Sequence, residues 1–160
     1  MFPYIPLVKQ ALCIAEEAHR GQYDKGGYPY ILHPITVAHE CSHFGYTNEA
    51  QRVNTICVAL LHDVFEDSQL YKIKDLAPMG FPHDVIVALK LLTHKRHIPY
   101  TDYIAAIAES NSLEAKLVKY ADLEHNLNSA RLDRAMADKD FVRSEKYYKA
   151  KAYIASFLDL

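Results

Sequence analysis

The stretch from Thr55 to Asp67, TICVALLHDVFED, limits what this chain can become more than any other. Helical spacing begins near Asn48, and after Thr55 the segment is apolar on nearly every side. A helix of that kind has no solvent face and belongs at the centre of its domain. Its end carries His62 and Asp63, and a buried carboxylate costs several kcal/mol or more unless it is paired or holds a metal. The segment therefore demands two things: elements that surround it, and a polar task at its C-terminal end.

The rest of the chain supplies helices. Leu7, Val8, Ala11, Leu12, Ile14, Ala15 and Ala18 form a broad stripe at helical spacing, which Gly21 ends. GQYDKGGYPY reads as a loop. Pro34 suits the first position of a second helix running to about Phe44. Thr47 is the candidate N-cap of the third, about Asn48–Phe65. Short helices are expected near Ile73–Leu76, Pro82–Leu92 and Tyr100–Glu109. Ser112 opens a long helix through Leu132, largely apolar between Ala115 and Ala121, and the last spans about Lys139–Phe157. No strand, repeat or linker interrupts the series. With 160 residues, 50% of them hydrophobic, the expectation is an all-α bundle, a single domain over residues 1–160, centred on the third helix and the long one.

Bulk charge removes some functions. A net charge of -2 gives no global basic field for nucleic acid, so an acidic partner needs a local Lys/Arg cluster. No eighteen-residue apolar run exists, so no membrane span is expected. MFPYIPLVKQ lacks a basic n-region and cleavage site, so no signal peptide is read. Cys13, Cys41 and Cys57 have no CxxC spacing and read as buried small hydrophobes in a reducing cytoplasm. Of the nine histidines, His19, His39, His43, His83, His94 and His97 fit surface or cap positions.

The chemistry gathers elsewhere. Asp122 interrupts the apolar run LVKYADLEHNL on the second central helix, and His33 sits where the glycine loop meets the second helix. With His62 and Asp63 they make two imidazoles and two carboxylates, a donor set suited to Mn, Fe or Zn. A lone His-Asp pair is usually a helix-end hydrogen bond; the combination H…HDxxED…D carries the weight. Glu66 and Asp67 follow His62 and Asp63 by one turn and project near the same place. Two carboxylates there suit orienting a water and moving its proton. His125 fits either a hydrogen-bond partner of a ligand or core packing. Lys95, Arg96 and His97 fit a helix C-terminus as well as a phosphate contact.

The pieces GQYDKGGYPYILHP, ALLHDVFED, GFPHDVIVALKLLTHK and AKLVKYADLEHNL resemble the hydrolase domain of RelA/SpoT-type alarmone enzymes, within the HD superfamily of phosphohydrolases. The likeness is strongest to the stand-alone small alarmone hydrolases, including metazoan SpoT homologues, and runs from about Ala11 to Tyr148. It implies an HD-domain helical bundle and an Mn-dependent enzyme that removes the 3′-diphosphate of (p)ppGpp, a small nucleotide. It implies His33, His62, Asp63 and Asp122 as metal ligands and Glu66 and Asp67 as the catalytic pair. Lys25, Asn126, Arg143 and Tyr147 match substrate contacts. Tyr23 and Asp24 stand where the family has basic residues, the loop between Lys25 and Tyr30 is shorter, His94 replaces a Lys, and Asn128 or Ser129 replaces an Arg. Asp24 cannot stack on a purine as a guanidinium does, so base recognition is expected to be loose, and Asp24→Arg is expected to strengthen binding. Two other functions fit the same residues: an HD-type phosphatase for the 2′-phosphate of NADPH or a nucleoside monophosphate, and a non-catalytic nucleotide-binding regulatory module. The intact Glu66–Asp67 pair argues against the last.

Overall fold

The stripe that starts at Leu7 becomes α1 (Pro6–Ala18), which buries Val8, Ala11, Ile14 and Ala15 and leaves Lys9, Glu16 and Glu17 to solvent. Pro6 opens it, at a position where a missing N–H costs nothing. The structure is a computed structural model that describes residues 5–67, 70–132 and 134–158, apart from the side chain of Asp67. Among the described residues seven more α-helices follow: α2 (Leu32–Cys41), α3 (Glu49–Leu61), α4 (Val64–Asp67), α5 (His83–Leu92), α6 (Tyr100–Ala108), α7 (Leu113–Leu127) and α8 (Asp138–Ala155). Short 3-10 turns lie at Ile73–Asp75 and Ser129–Arg131. The only β-pairing described is one bridge, Tyr23 to Pro29, which closes the glycine loop. The architecture is all-α, as the periodicity predicts.

α3 packs against α1, α2, α5 and α7, while α7 packs against α2, α3, α5, α6 and α8. These two are the central helices, for the reason their sequences give. Every residue from Asn54 to Leu61 is buried. Each of the larger ones, such as Ile56 and Leu60, contributes about 1.5–3 kcal/mol by leaving water. Cys41 and Cys57 belong to this core, but Cys13 is exposed on α1, contrary to expectation. No helix among the described residues is long and apolar enough to cross a membrane.

The helix ends differ from the sequence-based bounds, and side chains set most of the differences. α2 begins at Leu32, two residues before Pro34, because the Leu32 and His33 N–H groups already bond to the Pro29 and Tyr30 carbonyls. It ends at Cys41, short of Phe44. Asn48, not Thr47, caps α3: its side chain accepts the Gln51 N–H at 2.9 Å. Thr47 instead donates its hydroxyl to Gln51 Oε1. α3 stops at Leu61 rather than Phe65. The His62 ring donates Nδ1–H to the Ala59 carbonyl at 2.7 Å, taking the acceptor that a further turn of helix would use. Ser112 caps α7 as predicted, by accepting the Ala115 N–H. α7 then ends at Leu127 rather than Leu132, because Asn128 turns out of helical geometry and caps the 3-10 turn that follows.

Candidate active site

Three chain segments converge at the C-terminal end of α3. His33 comes from the first turn of α2, His62 and Asp63 from the break between α3 and α4, and Asp122 from the middle of α7. The donor atoms of His33, His62 and Asp122, all buried, lie within 4.8 Å of one another. Asp63 joins them: its Oδ2 is 3.4 Å from His33 Nε2 and 3.2 Å from His62 Nε2. Asp122 Oδ1 is 3.2 Å and 3.8 Å from the same two nitrogens. The four sequence-predicted ligands thus surround one point.

Hydrogen bonds on the outer sides fix which nitrogens face inward. His62 gives its Nδ1–H to the Ala59 carbonyl, so a neutral ring turns an Nε2 lone pair toward two carboxylates. That Nε2 is buried with no hydrogen-bond partner. Lone pair against carboxylate is repulsive, and either a proton or a cation on Nε2 resolves it. Burial alone would lower the His62 pKa, yet Asp63 and Asp122 outweigh it and hold it well above its usual value. His33 is raised for the same reason. Its Nδ1 lies 2.6 Å from His125 Nδ1, with the two rings stacked. His125, depressed chiefly by burial to about 4, is neutral at pH 7 and accepts the His33 proton. This outer shell and the mixed N/O donor set fit a divalent transition ion.

Lys119, which the sequence reading did not single out, completes the charge balance. It sits one turn before Asp122, with Nζ 2.9 Å from Asp122 Oδ2, and lies over the Tyr103 ring. Asn126 Nδ2 donates to Asp122 Oδ1 at 2.5 Å. Burial pushes the Asp122 pKa up; Lys119 and the two imidazoles pull it well below the carboxylate range.

A cavity of 250 Å³ opens over this cluster, and Glu66 lines it. The Glu66 Oε1 accepts the His94 backbone N–H at 3.0 Å. Desolvation raises its pKa, with that N–H in partial opposition. His94 is therefore no surface residue: it is half-buried in the cavity wall, and its ring stacks on Tyr103 at 4.4 Å. Asp67, the second expected carboxylate, has its side chain outside the described residues.

Beside it lies a second cavity of 370 Å³, lined by Lys25, Asn126, Arg143 and Tyr147 among others. All four expected substrate contacts meet there, from three separate segments. Arg143 is held by Asp140, a fully buried carboxylate that also accepts from Arg134 and from the Ala137 N–H. Tyr30, Asn126 and Tyr147 line both cavities, so the two are halves of one cleft.

Asp24 corrects the sequence-based expectation. It does not point a spare charge at a ligand. Its Oδ1 accepts the N–H groups of Gly26 and Tyr28, and its Oδ2 pairs with Arg131 at 3.3 Å. Burial works against ionisation, but these donors hold its pKa below the usual value. Arg131 also reaches Asn126 Oδ1 at 3.1 Å and so supplies a cation near the place where Asn128 and Ser129 stand for a missing Arg. Gly26 passes so close to the Arg131 carbonyl that a Cβ would lie 2.3 Å from it. No local pattern announces the Asp24–Arg131 pair, since its partners are 107 positions apart.

Two central helices that deliver a His-Asp pair and a distant Asp into one buried cluster, completed by a His from α2, define an all-α HD-type bundle with a possible metal site. No family model matches the chain. It is 39% identical over 70 residues to a guanosine-3′,5′-bis(diphosphate) 3′-pyrophosphohydrolase of Vibrio cholerae, a match covering 44% of this chain and 9% of that protein. It is 30% identical over 123 residues to the protein of the same name from Haemophilus influenzae, covering 72% of this chain and 17% of that one. The chain spans under a fifth of the length of either relative. A solved structure of a metazoan ortholog of SpoT, described as hydrolysing ppGpp and acting in starvation responses, matches with a TM-score of 0.73 at 26% identity. That match covers 96% of this chain and 86% of the other. In sequence and in fold the chain is RelA/SpoT hydrolase-like.

Proposed function

We propose that this protein is a metal-dependent nucleotide pyrophosphohydrolase that removes the 3′-diphosphate of (p)ppGpp or a related alarmone in the cytoplasm. The observation that carries this is the shared wall of Tyr30, Asn126 and Tyr147. It joins a His/Asp cluster to a pocket containing Lys25, Arg131 and Arg143, which suits a nucleotide with anionic groups at both ends of its sugar. A monophosphate has no use for the second, cationic end. The relatives named for this reaction support the same reading.

His33, His62, Asp63 and Asp122 would hold the ion, Mn in our proposal. When bound, such an ion makes water more acidic and offsets charge on phosphoryl oxygens. The chain's own residues do the rest. With Oε1 tied to the His94 N–H, Glu66 has Oε2 left to orient the attacking water and take its proton. Asp67 acts with it. Lys25 and Arg143 hold the far phosphates. Asn126 steadies Asp122 and faces the sugar. The products are the nucleoside 5′-diphosphate or triphosphate and pyrophosphate.

The test is turnover with added Mn of a panel holding ppGpp, ppApp, NADPH and nucleoside monophosphates. Pyrophosphate release from the 3′-diphosphates is expected. Orthophosphate from NADPH or monophosphates alone would overturn the substrate, and no turnover at all would favour a binding module. Glu66→Gln should lower kcat by about 10²–10³-fold, within the range for lost acid–base catalysis, while bound metal stays constant. Parallel loss of both would make Glu66 a ligand instead.

A further inference from the structure

His19 was expected to be an ordinary cap or surface residue. It does cap α1, but it is 6% exposed, and its Nε2 is buried without a hydrogen-bond partner. Its orientation is fixed from behind. Gln22 gives its amide N–H to the Ala18 carbonyl, which turns Oε1 toward His19 Nδ1 at 2.9 Å. An amide oxygen only accepts, so Nδ1 carries the proton and Nε2 the lone pair. The ring lies against Tyr30, centroid to centroid 4.9 Å. Burial lowers its pKa, Asp63 acts in the opposite sense, and His62 and His33 add to the lowering. The geometry thus leaves Nε2 as the acceptor of the ring.

Around it is a third cavity of 420 Å³, lined by His19, Gln22, Tyr23, Tyr30, Asp63 and Glu66 among others, with no Lys or Arg. Two carboxylates and no cation make it unsuited to a phosphate. Among the described residues no metal-holding group includes His19. A polar, anionic space of this size fits water. It shares Tyr30, Asp63 and Glu66 with the cavity over the His/Asp cluster and Tyr23 and Tyr30 with the nucleotide cavity, while Lys25 and Arg143 line only the latter. An in-line displacement needs the nucleophile and the leaving group on opposite sides of phosphorus. The cleft provides such a division: cations at one end, carboxylates and an imidazole lone pair at the other.

We propose that His19 is a proton relay behind Glu66, on the water side of the cleft. The inference rests on the hydrolase reading above. The oxygen of the attacking water bonds to phosphorus, and its proton passes to the Glu66 carboxylate, through water in the third cavity to His19 Nε2, and on to solvent. The bond from phosphorus to the ester oxygen breaks, the electron pair stays on that oxygen, and it takes a proton from water in the cleft. His19 touches neither substrate nor ion; it acts through Glu66.

The experiment compares Mn-loaded wild type, His19→Ala and His19→Gln for kcat, KM, bound metal and Tm. Both variants should lose kcat on the order of 10²-fold, with KM and metal content unchanged. Added imidazoles should restore His19→Ala in proportion to their basicity and leave His19→Gln unaffected. Metal-free wild type, labelled with ¹⁵N, should show His19 as the neutral Nδ1–H tautomer. Full activity in His19→Gln, loss of kcat only in step with metal or Tm and without imidazole rescue, or an Nε2–H tautomer would each overturn the relay. A wild type that turns over no phosphate ester would instead overturn the hydrolase reading, and the tautomer measurement stands apart from that outcome.

Discussion

The two ends of the cleft are built from different material. The proposed metal end is part of the core: His33, His62 and Asp122 are buried on helices whose other residues pack the centre of the bundle. The proposed nucleotide end is assembled from a loop, the end of α7, a 3-10 turn and α8, with Tyr23 68% exposed at its edge. At the first end, the proposed chemistry and the stability depend on the same side chains. At the second, Arg131 and Arg143 are partly exposed and each is paired with one carboxylate, so binding can be altered with less effect on the fold.

The largest effect expected from this contrast is that of Asp122→Ala. It strands Lys119, whose side chain is 14% exposed, with no other carboxylate paired to it among the described residues. Breaking a buried pair in this way costs about 3–5 kcal/mol. Urea unfolding of the metal-free protein should show that loss, and metal titration should show no site. Arg143→Ala should cost much less, because Arg134 and the Ala137 N–H still satisfy Asp140. Equal losses in the two variants would end the distinction.

A pH experiment sharpens the same contrast from the metal side. His33 and His62 are raised above 6.5 in the metal-free fold by their carboxylate neighbours, against the opposing effect of burial. A group raised on folding contributes stability that is complete below its unfolded pKa and is lost as pH rises through the folded one. Metal needs both rings neutral and so competes with those protons. Mn affinity should therefore climb as pH rises from about 6, by up to about 100-fold per unit where two protons are displaced, and level off above the raised values. Titration calorimetry in buffers of different ionisation enthalpy counts the protons. An affinity flat with pH would show that the rings are already neutral.

The difference in construction also explains what could be seen in advance. Asp63 and Asp122 were visible because a carboxylate inside an apolar helical run has few uses, and His33 because a loop with paired glycines leads into it. Lys119 was equally visible in principle, one turn before Asp122 on the same helix. His19 was hidden by its position at a helix end, where a histidine needs no explanation. The nucleotide end offered less. Lys25, Asn126, Arg143 and Tyr147 came from resemblance, and the structure gathers them; Arg131 joins Asp24 across most of the chain, where periodicity carries no information. The helix bounds went astray where side chains compete for backbone groups, at His62 and at Asn128.

The Asp24–Arg131 pair turns one sequence-based expectation around. Asp24→Arg was expected to improve binding by supplying a guanidinium for the base. The carboxylate it removes accepts two turn N–H groups and an Arg, and the new cation would face Arg131. Losing these bonds costs on the order of 1–1.5 kcal/mol of loop order, so kcat/KM for a 3′-diphosphate should fall about tenfold, mainly through KM. Asp24→Asn keeps an acceptor for the turn and should fall less. A rise in kcat/KM for Asp24→Arg would mean that the loop is free enough to present a new base contact, and the nucleotide end would be more adaptable than its hydrogen bonds indicate.

The smallest expected effect concerns the base. To favour guanine over adenine, a site needs an acceptor for the guanine N–H groups, and a carboxylate is the strongest available. In the nucleotide half of the cleft that carboxylate would be Asp24, and both of its oxygens are taken. Lys25 and Arg143 hold phosphate without reading the base, while Leu132 and Met136 on the same wall give apolar contact to either purine. Guanine and adenine 3′-diphosphates should then be hydrolysed with kcat/KM values within roughly tenfold, a difference of about 1.4 kcal/mol or less. Steady-state kinetics on the two substrates decide this. A preference well above tenfold that survives Asp24→Asn would assign base reading to groups other than Asp24, with the exposed rings of Tyr23 and Tyr28 the first to replace. A preference that collapses in Asp24→Asn would show the carboxylate leaving Arg131 for the base when substrate binds.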